Sequence, residues 1–138
     1  MEIKFNDIVD AFEFVSFGRM YEHQAFLNKE TGRIYWHSEV GDNEEELPED
    51  IDDGKYIGIP HKNELDLGKH LVLDFTCEYL PNDIDKVENI FRRKGAYSKF
   101  KALLENRKII DKWYEFESNA QEKALKAWCE ENGIQIHV

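Results

Sequence analysis

Cysteine is scarce in this chain. Cys77 and Cys129 each stand alone, outside any CxxC pair, which excludes a zinc ribbon or a thioredoxin-type redox motif. Both are expected as reduced thiols in the core of a cytoplasmic protein. Long apolar runs are missing as well. No stretch approaches the ~20 apolar residues that a membrane span needs, and no apolar run follows a basic start, so neither a span nor a signal peptide is expected. There is no GxGxxG, Walker loop, GxSxG or HExxH, so no nucleotide, acyl-transfer or metalloprotease signature is present. Cations are in deficit: 18 Lys and Arg stand against 29 Asp and Glu, for a net charge of −11. That balance opposes non-specific nucleic-acid binding.

What is present suffices for a core. Apolar residues make up 41% of 138 residues and aromatics 13%, so a single folded domain over 1–138 is expected. The acidity is local. Residues Glu39 to Asp53 hold nine acids and no base; without them the charge is −2. Pro48, Gly41 and the Gly54 that follows punctuate Glu39 to Gly54, which reads as a solvated loop. Its spacing does not match a twelve-residue calcium loop. The other readings are a cover for a basic surface or a face for a basic partner.

Hydrophobic periodicity lays out the rest. A first helix is expected from Asn6 or Asp7, either of which could cap it, with Ile8, Val9, Phe12 and Val15 as its apolar face and Gly18 at its end. Tyr21–Leu27 and Arg33–His37 flank Asn28-Lys29-Glu30-Thr31-Gly32, which predicts a β-hairpin with Gly32 at a position needing φ > 0. Tyr56–Ile59 is a short strand stopped by Pro60. Helices are expected over about Leu65–Leu80 and Ile84–Lys94, with Pro81-Asn82-Asp83 as break and cap. Another begins near Ala96 after Gly95. A long one carries Ile109, Ile110, Trp113, Phe116, Ala120, Ala124 and Trp128, ends at Gly133, and leads to a terminal strand over Ile134–Val138. The fold class is therefore α+β: a small antiparallel sheet of three or four strands (about 19–60) packed against a mainly helical C-terminal block (about 64–133). Phe100, Trp113 and Phe116 are expected to share the core.

Within the helical block, Arg92, Arg93, Lys94, Lys99, Lys101, Arg107 and Lys108 are concentrated between Phe91 and Ile109, and only Glu105 stands among them. A positive band at the start of a helix, where backbone N–H groups are also free, suits an anion. Arg92, Arg93, Lys94, Lys99 and Lys101 are the candidate anion-binding residues. The alternative is a solvated face neutralised by acids elsewhere.

The run IFRRKGAYSKFKALLENRKIIDKWYEF, with FLNKETGRIYW and YIGIPHKNELDLGK before it and KALKAWCEENGI after it, resembles the uncharacterised protein family numbered 0158. The resemblance covers about Phe26 to Ile136 and includes Arg93, Gly95, Phe100, Lys101, Trp113, Tyr114 and Phe116. It implies no catalytic or binding residues, since that family has no assigned function.

Other constellations are thinner. Asp66, His70 and Asp74 would share a helix face at four-residue spacing, as a divalent metal site needs, but no fourth ligand accompanies them and no metal is assigned. His61 follows Pro60 at a strand end, and His37 could serve as a general base, yet no nucleophile in a recognisable context accompanies either. Two functions stay open. One is a non-enzymatic binding or regulatory module with an anionic ligand or protein partner and no cofactor. The other is a small-molecule enzyme with a polar site near His61, drawing on His37, Asp66 and Asp74.

Overall fold

The computed structural model describes residues 2–38, 47–52 and 54–137. In chain order the elements are β1 (Glu2–Lys4), α1 (Phe5–Ser16), β2 (His23–Asn28), β3 (Ile34–Ser38), β4 (Tyr56–Gly58), α2 (Lys69–Tyr79), α3 (Ile84–Ile90), α4 (Ala96–Asn106), α5 (Ile110–Glu131) and β5 (Gln135–His137). Short 3-10 turns occupy Lys62–Leu65 and Pro81–Asp83. The chain divides into two compact units, one of Met1–Leu65 with Lys123–Val138, the other of Asp66–Glu122. No described helix is long and apolar enough to cross a membrane.

The class is α+β. In the first unit a three-stranded antiparallel sheet has the order β3-β2-β4. The hairpin forms as its residues dictate: Asn28 Oδ1 accepts from the N–H groups of Glu30 (2.8 Å) and Thr31 (3.1 Å), and Gly32 takes a φ of +79° that a side chain would resist. Strand alternation then sorts the side chains. Ala25 and Leu27 lie opposite Trp36 and Ile34 on the face that meets α1, where the Phe14 ring sits 5.0 Å from Trp36 and 5.1 Å from His23. Phe5, Ile8, Ala11, Phe12 and Val15 are the buried residues of α1. Gln24 and Phe26, opposite His37 and Tyr35, occupy the other face and are only half-buried.

Several expectations are corrected here. The first helix starts at Phe5, and its cap position, Lys4, makes no side-chain cap. Lys4 also ends β1, which pairs in parallel with β5 through Ile3↔Ile136 and Lys4↔His137. The strand therefore runs straight into the helix. The terminal strand was expected; its partner at the other end of the chain was not. The last helix ends in a Schellman motif, with Gly133 at φ +68° and the Gly133 and Ile134 N–H groups donating to the Glu130 and Cys129 carbonyls.

The second unit is helical. Leu71, Val72, Phe75, Val87, Phe100, Leu103, Leu104 and Trp113 form one buried cluster. Phe75 and Phe100 meet Trp113 edge-on, with centroids 5.3 and 5.1 Å away, and half-buried Phe116 stacks on Trp113 at 6.4 Å. The expected aromatic trio is thus assembled. The helix predicted from Leu65 begins instead at Lys69, because Asp66 adopts a left-handed φ of +57° that no helix accommodates. The helix expected to reach Lys94 stops at Ile90. Cys77, expected in the core, is exposed. It stands about 200° around α2 from Phe75, on the side away from the core.

Candidate functional site

Arg92, Arg93 and Lys94 lie in the connection between α3 and α4, and Lys99 on the first turn of α4; all four are exposed. Gly95, at φ +74°, turns the chain into α4 without a side-chain cap, and no acid stands in the first turn. Among the described residues these four basic side chains have no carboxylate within ion-pair distance. Lys101 does not join them. At about 200° from Lys99 around the helix, it is half-buried and holds its ammonium 5.7 Å from the centre of the Tyr114 ring.

Arg107, from the same basic stretch, is already satisfied. Its Nε and Nη2 donate to the two oxygens of Asp83, both at 3.1 Å. That hydrogen bonding holds the Asp83 carboxyl below its ordinary value and raises the guanidinium in turn. It also explains why Asp83, expected to cap α3, makes no cap there.

Of the acidic stretch, Glu39, Asp42, Glu44, Glu45, Glu46 and Asp53 lie outside the described residues, and with them the expectation of a solvated loop. Asp50 is described. It accepts from the Tyr56 hydroxyl at 3.0 Å and lies 3.8 Å from the Lys55 ammonium. Desolvation, and then that hydrogen bond, raise the Tyr56 phenol.

The histidines separate by role. His61 is only 2% exposed. The Asn63 N–H donates to its Nδ1 at 3.0 Å, so Nε2 carries the hydrogen and donates to the Gly18 carbonyl at 3.2 Å. Nε2 fastens this segment to the turn after α1, and Nδ1 is occupied by the segment's own Asn63. The Lys62 N–H donating to Ser16 Oγ adds to the clamp. His61 is therefore spent on structure and does not present a base to a substrate. His37 lies half-buried on the open face of the sheet, opposite Gln24. His70 and Asp74 approach to 3.6 Å on an exposed face of α2. Asp66 precedes that helix, so the three residues do not share a helix face. No group of three metal-binding side chains gathers among the described residues.

Sequence reasoning passed over His23. It is buried, and its Nδ1 lies 2.9 Å from Ser38 Oγ, with Phe14 and Phe17 rings beside it. Counting back across the hairpin from Gly32 would have placed His23 opposite Ser38. No family model, curated protein or solved structure matches the chain.

Proposed function

We propose that the chain is a non-enzymatic binding module that takes an anionic group, free or on a protein partner, on the basic segment Arg92, Arg93, Lys94 and Lys99. One observation carries the reading. These four cations are exposed and lack carboxylate partners among the described residues, although Arg107 in the same stretch has found Asp83. Like charges held close repel one another, and a bound anion relieves that cost. The uncapped start of α4 adds free N–H donors, and adjacent arginines suit the planar oxygens of phosphate or carboxylate. Lys101, engaged with Tyr114, plays at most a peripheral part. Kinship with the family numbered 0158 belongs to the same proposal and rests on the matching residues around this segment. So does a cytoplasmic setting, which the two free cysteines support.

Thermal melting in rising phosphate or sulfate tests the proposal. The melting temperature should climb saturably, and Arg92→Ala with Arg93→Ala should abolish the climb. An unchanged response in the double variant removes the site from this segment.

A further inference from the structure

The sheet unit contains a cavity of about 240 Å³, separate from the basic segment. Val15, Ala25, Phe26 and Ile59 are among the residues that line it. Gly58 of β4, directly opposite Phe26, also lines it. The folded backbone does not require this glycine. Its φ lies outside the left-handed region, and a Cβ built on it would meet nothing within 4 Å. Here the missing side chain keeps the cavity open.

Tyr21, also on the lining, points the same way. It holds a φ of +70°, a left-handed conformation that a bulky residue rarely adopts. The turn around it is fixed by the Glu22 N–H donating to the Arg19 carbonyl at 3.2 Å and the Arg19 N–H donating to Glu22 Oε2 at 2.9 Å. The ring itself is 66% exposed. Strain of this kind gathers at ligand clamps. Glu64 completes the lining and carries its one fixed charge; the remaining polar members, His23 and Gln24, bring no fixed charge.

From these features we infer that the cavity binds a small organic ammonium ion whose apolar body is about the size of one aromatic ring. The body packs beside Phe26 in the space Gly58 leaves. The ammonium is held by the Glu64 carboxylate and attracted by the face of the Tyr21 ring.

Calorimetric titration with 2-phenylethylammonium, 2-phenylethanol and 3-phenylpropionate at equal ionic strength tests this. The ammonium probe should bind saturably, and the neutral and anionic probes much more weakly. Glu64→Gln should weaken ammonium binding by roughly tenfold or more, the loss expected for a charge-assisted contact. Gly58→Leu should fill the cavity, keep a cooperative melt and abolish binding. Glu64 is exposed in a short turn, so E64Q decides the matter even if G58L does not fold. Arg92→Ala with Arg93→Ala should leave ammonium binding unchanged, which separates this site from the anion site. Equal binding of all three probes, no saturable binding to the parent protein, or parent-like affinity in E64Q would overturn the inference.

Discussion

In the helical unit Phe75, Phe100 and Trp113 close on one another, and Thr76 is the one polar residue among its buried side chains, its hydroxyl returned to the Val72 carbonyl at 2.8 Å. The sheet unit buries His23, His61 and Asn28 beside Ile8 and Leu27. The first interior is held by shape and area, which are not directional and which depend on large rings filling space. The second has its own apolar residues, among them Phe5, Phe12 and Val15, and adds hydrogen bonds that must each find their partner, because a buried polar group left alone costs more than the bond it made contributed. The helical core has one such orphan, the Trp113 Nε1, which is buried without a hydrogen-bond partner. An interior of the first kind fails by cavity formation, and one of the second kind by an unpaired group.

The largest effect should come from emptying the aromatic core. Trp113→Ala is expected to cost roughly 3–5 kcal/mol in urea unfolding, as truncations of large buried aromatics do; a loss below about 1 kcal/mol would show that rings are not what holds this unit. Next comes the polar interior. His61→Ala strands the Asn63 N–H and the Gly18 carbonyl and should cost about 1–3 kcal/mol, although its apolar area is small. If His61→Leu, which restores volume but no hydrogen bonds, proves as stable as the parent, then the sheet unit too is held by packing and the contrast is void.

The two cysteines sharpen the comparison, one from each unit. Burial raises the Cys129 thiol from 9.0 to about 11, whereas Cys77 is exposed. Alkylation at pH 8 should label Cys77 quickly in the folded protein and Cys129 only on unfolding. Since the unfolded state loses the Cys129 proton first, stability should decline as pH rises from 9 toward 11, and Cys129→Ala should flatten that decline. The smallest effect is at the surface. Asp83 titrates below its ordinary 3.8 in the folded state, so its contribution is present above that pH and fades as pH falls through the lowered value. Asp83→Asn should therefore differ from the parent slightly at neutral pH and not at all in strong acid, in paired acid-unfolding curves.

Much of this structure is legible one segment at a time. Gly32, Gly95 and Gly133 announce left-handed positions because steric limits on φ act within a single residue. The spacing of Phe100, Leu103 and Leu104 announces a buried helix face because 3.6-residue periodicity acts within a few turns. The charge band at Arg92–Lys94 is likewise plain in the sequence, and so is the α+β class that follows from a hairpin followed by helices.

Other features depended on partners far along the chain. β1 is three residues of no strong pattern, and it exists as a strand because β5 pairs with it. Asp83 looks like a helix cap until Arg107, 24 residues on, takes its carboxylate. His61 looks like a possible base until Gly18, 43 residues earlier, occupies its Nε2. The sequence alone determined which segments are helices and turns, though not their ends, because local sterics and periodicity decide that. Tertiary structure alone decided which polar groups are spent and which stay free. A donor or acceptor is satisfied by whatever the folded chain brings within about 3 Å of it, and local pattern does not encode that distance.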